Sequence, residues 1–240
     1  MYSASRVPPS ITAPAQPREA SEVADSSPKC ADALFACHEL DRRWIESNAA
    51  ILAENYKWHE PYGLPQPDSD EFLALLGGDS PIDLGLRGGE TIRLGRGRRL
   101  EVLHLPGHTL GHVGLWDPQQ GIAIVIDAAL YDGIYDRAGN KLIPPRYYDA
   151  AAYRDTIRRI RALEPELLLT AHYQPMGAAA AREFCDRSLA HVDAVEEIVR
   201  AARTVDLREL TELVDQRLGP FPEFSTEIAA GVRSHLASLT

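Results

Sequence analysis

Leu105-Pro106-Gly107-His108-Thr109-Leu110-Gly111-His112 lies between two apolar runs, Leu100–Leu105 and Val113–Trp116, and both runs read as strands. Pro106, Gly107 and Gly111 forbid a helix here, so the two histidines cannot share a helix face. A Pro-Gly turn at a strand end presents its next side chain at the sheet edge. One histidine can then face a site while the other braces the turn.

Working outward, Glu90–Leu94 and Arg99–His104 alternate well enough to form a hairpin across Gly95-Arg96-Gly97. That glycine pair is a hairpin turn and not a phosphate loop, because no helix start follows it. Downstream, Asp117–Gly121 is turn chemistry and Ile122–Ile126 is a further strand. Asp149 caps a helix through Leu163 with Tyr153, Ile157 and Ile160 on its buried face. Leu167–Thr170 is the last strand. Met176–Arg203 reads as a long helix, with Phe184, Val192, Val195 and Val199 on one stripe and Gly177 interrupting its start. Asp206 with Glu209 opens a helix to Leu218, Gly219-Pro220 breaks it, and Ser225–Leu239 forms another.

Towards the N-terminus, Ala33–Cys37 reads as a short strand and His38–Tyr56 as a helix. Trp58–Pro67 reads as loop, and Asp68 followed by Glu71 signals a helix over Glu71–Leu76 that Gly77-Gly78 stops. Residues 1–28 hold five prolines and few large apolar side chains, so a disordered or loosely packed segment is expected. The domain reading is therefore 1–28 as that segment, 29–203 as the main domain, and 204–240 as a helical, winged-helix-like appendage.

A chain of 240 residues suits one domain with such an appendage. A net charge of −10 argues against a nucleic-acid or anionic-membrane surface. No run of 18 apolar residues is present, and no apolar stretch near the N-terminus reads as a secretory signal. Cys30, Cys37 and Cys185 are odd in number and lack C-x-x-C spacing, which points to reduced thiols in a cytoplasm. No Gly-x-Ser-x-Gly string occurs, so serine-hydrolase chemistry is not expected.

The Pro106–His112 turn, the strand Gly121–Ile126 ending in Asp127, and Leu167–Ala171 leading into His172 resemble, in order and spacing, the metallo-β-lactamase-fold hydrolases. The resemblance runs from roughly Ala33 to Met176. It implies an α/β fold, an αββα sandwich of sheets flanked by helices, here with its first half incomplete. It also implies hydrolysis of an ester, thioester, lactone or amide by water activated at zinc, with one or two ions. Carried onto this chain, the metal ligands are His108, Asp127 and His172, with a small-molecule substrate and no nucleic-acid or membrane partner. His112 is then a bracing residue that orients the turn.

The family's leading motif, His-x-His-x-Asp-His, is not found in these 240 residues. Anchored on Thr12, its ligand positions fall on Ala13, Ala15, Pro17 and Arg18, none of which can bind a metal. A shifted register brings in only Gln16 or Glu19. Each metal would then keep about two protein ligands, short of the three a catalytic zinc needs. The rival readings are a non-catalytic relative that binds a small molecule or protein, and a truncated inactive product. Uncovered sheet surface also makes a homo-oligomer an expectation.

Other candidates carry plainer readings. His38 and Glu39 begin a helix on its solvated side, His59 and Glu60 lie in a surface loop, and His191 and His235 are surface residues of helices. Tyr131, Tyr135 and Tyr173 flank the candidate ligands, either as packing or as donors to an oxyanion.

Overall fold

The computed structural model describes residues 33–56, 66–221 and 225–239. They fall into two compact units, one ending at Gly88 and the other beginning at Gly89. The expectations for residues 1–28, with Gln16 and Glu19, and for His59 and Glu60 lie outside the described residues, as does Cys30.

In the first unit, β1 (Ala36–His38) pairs in parallel with β2 (Leu84–Leu86). Between them come α1 (Arg42–Glu46), α2 (Asn48–Ile51), a π-helical turn (Leu52–Tyr56) and α3 (Gln66–Leu76). The single helix expected over His38–Tyr56 is therefore corrected to three short pieces. Ser47 separates the first two: its backbone is extended, and its side chain accepts a hydrogen bond from Ala50 N. Serine favours such a cap over a helix interior. His38 does not begin a helix on a solvated side; it closes β1, is buried, and its Nδ1 accepts from Leu40 N at 3.1 Å. The helix expected from Glu71 starts at Gln66, because Pro67 is tolerated in a first turn whose N–H groups lack helical partners.

The second unit is built on a six-stranded sheet of order β10-β9-β6-β5-β4-β3. Its strands are β3 (Thr91–Gly95), β4 (Arg98–His104), β5 (Val113–Asp117), β6 (Ile122–Ile126), β9 (Leu167–Thr170) and β10 (Met176–Gly177). β3 to β6 form an antiparallel meander, whereas β6 and β9 run parallel, with Ile122 opposite Leu167 and Ile126 opposite Thr170. A parallel pair needs a crossover. Here it contains the small hairpin β7 (Ile134–Tyr135) and β8 (Lys141–Ile143), then α4 (Ala150–Ala162).

Leu103, Leu105, Ala123, Val125 and Leu168 from the sheet pack with Tyr153, Ile157 and Ile160 of α4. Phe184 and Val192 of α5 (Ala178–Ala201) join the same core. α5 begins two residues later than expected, because Met176 and Gly177 pair with β9 as a strand. Asp149 accepts from Ala152 N at 2.9 Å, which caps α4 as its sequence predicts. Asp149→Ala is expected to cost about 1 kcal/mol. Urea denaturation reads this directly, and unchanged stability would show that the cap contributes nothing.

The chain ends in α6 (Leu207–Leu218) and α7 (Ser225–Leu239). Leu210, Val214, Phe221, Ile228 and Val232 form a second apolar cluster with Val195 and Val199 of α5. His191 and His235, expected at the surface, are buried at 7% and 3% exposure. His191 falls on the Phe184–Val195 stripe of α5, and the C-terminal helices cover that stripe. Among the described residues no helix is long and apolar enough to cross a membrane.

Candidate functional site

Two backbone features deliver the site. β6 and β9 run parallel, so their carboxyl ends arrive at the same edge of the sheet, the usual place for a site in such sheets. At that edge the register between them slips at Ile124–Ile126. Ile126 takes φ of 50°, a conformation a β-branched residue rarely adopts. Strain of this kind persists only where surrounding structure enforces it. Here it turns the chain out of the strand directly before Asp127.

Asp127 and His172 consequently meet, with Asp127 Oδ1 3.2 Å from His172 Nε2. Despite that proximity, Oδ1 is buried without a well-formed hydrogen bond. Thr170 Oγ1, at the end of the neighbouring strand, is a second buried oxygen in the same state. Burial alone would push the Asp127 carboxyl up. The adjoining His172 ring and the nearby His108 outweigh that, and hold it below the usual carboxylate range.

The His108 turn is fixed on several sides. Leu105 N donates to His112 O at 2.8 Å and Gly107 N donates to Thr109 O at 2.9 Å. Thr156 Oγ1 of α4 donates to Pro106 O at 2.7 Å. Gly107 has φ of 130° and lies so close to α4 that a Cβ would fall 2.4 Å from Tyr153 Cα. His112 does brace the turn: its Nε2 bonds to Val125 O of β6 at 3.0 Å, and its ring stands edge-on to His108 with centroids 5.6 Å apart.

His108 Nδ1 lies 2.9 Å from the carbonyl oxygen of Arg146. A carbonyl only accepts, so Nδ1 carries the proton and the lone pair stays on Nε2. Burial holds the ring neutral by pushing its pKa down to about 4. This is the form of imidazole that binds a metal ion.

The donor chemistry of His108, Asp127 and His172, with an orphaned carboxylate oxygen among them, fits a divalent cation. The fit is to part of a coordination sphere: among the described residues, no group of three or more His, Cys, Asp or Glu side chains is close enough to hold an ion. Asp127 and His172 form the close pair, and His108 lies near enough to feel the Asp127 charge.

Of the three tyrosines, Tyr173 and Tyr135 spend their hydroxyl hydrogens on other acceptors, and Tyr131 packs in the core. The Tyr173 hydroxyl donates to Leu130 O at 2.8 Å and Gly133 O at 2.9 Å, and that of Tyr135 donates to Asp132 at 2.9 Å. Tyr131 stacks on Phe184 with the Arg187 guanidinium 3.9 Å above its ring, and its hydroxyl bonds to Arg187. Arg146 is the residue that sequence reasoning misses. Its contribution is a backbone carbonyl, which leaves no mark in residue type.

The comparisons agree with this architecture. The family model described as metallo-beta-lactamase superfamily matches residues 33–172, a span that includes His108, Asp127 and His172. A hydroxyacylglutathione hydrolase of Hyphomonas neptunium is 47% identical over 47 residues, which is 20% of this chain and 18% of that enzyme. The chain thus matches less than a fifth of that relative's length. A metallo-beta-lactamase family protein of Thermus thermophilus superposes with a TM-score of 0.62 at 20% identity, over 86% of this chain and 67% of its own. A beta-lactamase domain protein of Burkholderia ambifaria gives 0.58 at 20% identity, over 86% of this chain and 58% of its own. With the family model covering more than half of its residues, this chain belongs to the metallo-β-lactamase superfamily.

Proposed function

We propose that the chain is a hydrolase of an ester, thioester, lactone or amide, with His108, Asp127 and His172 as the residues that hold zinc. The observation that carries this reading is Asp127 Oδ1, buried without a well-formed hydrogen bond 3.2 Å from His172 Nε2. A divalent ion, when bound, supplies Lewis-acid polarisation of a carbonyl and makes water more acidic. The chain's own residues do the rest. Asp127 stays ionised, and His108 stays neutral with its lone pair directed away from Arg146 O. His112 keeps the turn from rotating. The local likeness to a hydroxyacylglutathione hydrolase makes a hydroxyacyl-glutathione thioester the first substrate to try. The free, buried thiols of Cys37 and Cys185 support a cytoplasmic setting.

A second reading, a non-catalytic relative that binds a small molecule or a protein, draws on a specific observation. The string His-x-His-x-Asp-His does not occur in the sequence, and the described residues offer no group of three ligands. Elemental mass spectrometry separates the two, run beside thioester hydrolysis on protein purified without affinity-tag metal. The hydrolase reading expects about one zinc per chain and measurable turnover, both lost in His108→Ala. No zinc after incubation with excess metal, together with no turnover, would overturn it in favour of the second reading.

A further inference from the structure

Helix α7 lays a single face along residues 146–150, the segment that supplies the His108 acceptor. Glu227, Gly231, Ser234 and His235 follow i, i+4, i+7 and i+8 spacing, which is one stripe of a helix. Each meets the segment. Arg146 Nη1 donates to Glu227 Oε1 at 3.0 Å, Arg146 Nε lies 2.8 Å from Glu227 Oε2, and the two side chains are only 10% and 12% exposed. A Cβ on Gly231 would come within 3.1 Å of Tyr147 Cζ, so only glycine leaves this ring its full room. Ser234 Oγ accepts from Ala150 N at 2.6 Å, and His235 Nε2 lies 3.0 Å from the Tyr147 hydroxyl.

On its other side the same segment grips the histidine turn. Tyr148 N and Asp149 N donate to Gly107 O at 2.8 and 3.4 Å, and Arg146 O takes the Nδ1–H of His108. The Arg146 side chain is held by α7 while its carbonyl holds His108. Tyr148 steadies it further by accepting from Arg146 Nε at 2.7 Å.

We infer that α7 is a positioning element of the candidate site, and that Glu227, acting through Arg146, is a positioning residue that fixes the ring orientation and tautomer of His108. The importance of that tautomer rests on the reading of His108 as a metal donor; the mechanical coupling does not. Removing the Glu227 charge leaves a buried guanidinium without its counter-ion, a costly state that the segment relieves by shifting. Once the Arg146 carbonyl moves, nothing fixes the proton on Nδ1, and the lone pair on Nε2 is lost for part of the time.

The test uses the full chain labelled with 15N-histidine, observing imidazole nitrogens by two-bond proton–nitrogen correlation at neutral pH. His108 is assigned by the signals missing from His108→Gln. The wild type is expected to show His108 protonated at Nδ1 alone. Glu227→Gln is expected to give a mixture of tautomers, and Ser234→Ala, which removes a contact on the same helix face without touching a charge, is expected to do likewise. Glu212→Gln, in an exposed pair with Arg208 on α6, is the control and should leave His108 unchanged. Zinc affinity should fall roughly 10- to 100-fold in Glu227→Gln. A purely structural role lowers the melting temperature but does not move the His108 signals. Wild-type signals in a folded Glu227→Gln would overturn the inference, and Ser234→Ala decides in the same way should Glu227→Gln fail to fold. If the wild type binds no zinc, the hydrolase reading falls while the tautomer result still decides this one.

Discussion

Gly107→Ala is expected to lower stability by about 4 kcal/mol or more, and to abolish any zinc binding that survives in the remaining folded protein. Two separate costs add. The backbone at Gly107 sits at φ of 130°, where an L side chain is strained wherever it points. The new methyl group would also lie 2.4 Å from Tyr153 Cα and 2.5 Å from Tyr153 N. Those atoms belong to the backbone of α4, which is pinned by Asp149 at its start and by Ile157 and Ile160 in the core. Neither can retreat as a flexible side chain would. Gly95→Ala and Gly97→Ala separate the two costs, since both positions have φ near 80° but nothing within 4 Å of a Cβ. These should lose only about 1 kcal/mol, the backbone share. Urea denaturation of the three variants decides it. A Gly107→Ala protein as stable as Gly95→Ala would mean that the turn does not pack on α4 as described.

That same glycine shows what could be read from the sequence. The turn, the strands around it and the capped helix after Asp149 were legible because each is written in neighbouring residues. Proline and glycine exclude helix, side chains alternate in strands, and Tyr153, Ile157 and Ile160 recur at helical spacing. The approach of Asp127 to His172 depends on a parallel register between strands more than 40 residues apart, which the spacing of those strands does not reveal. Ile126 is harder still, because Ile-Ala-Ile-Val-Ile reads as an unbroken strand while its last residue turns out of it. His191 and His235 read as surface residues, and are buried, for a related reason. A histidine on a helix is exposed or buried according to what later covers that face, and the covering helices belong to the tail. The Arg146 carbonyl could not be read at all, since every residue carries one.

The burial of those two histidines makes the protein sensitive to acid over a definite range. Burial pushes His191 down from 6.5 to about 4, with the Lys141 charge adding to the effect and Asp132 opposing it. Burial does the same to His235, where Arg154 and Arg200 add and Glu196 and Asp193 oppose. In the unfolded chain both rings take up a proton near pH 6.5. The unfolded state therefore binds more protons below that pH, and stability falls as the pH drops from 6.5 towards 4. Above that window the contribution is fully present. Between pH 7 and pH 5 each ring should cost about 2 kcal/mol, or about 4 kcal/mol together, a large part of a typical domain's total stability. Burial also raises the Glu227 carboxyl, while its pairing with Arg146 opposes that rise. The double variant His191→Gln, His235→Gln isolates the histidine share. Its stability measured in urea should change by about 4 kcal/mol less than the wild type's between pH 7 and pH 5. Both rings border the cluster that joins α6 and α7 to α5, so the wild-type loss should begin in the tail, with amide exchange in α7 accelerating before exchange in β4 to β6. An equal pH slope in the wild type and the double variant would show that these rings are hydrated in solution and would remove the acid sensitivity assigned to them.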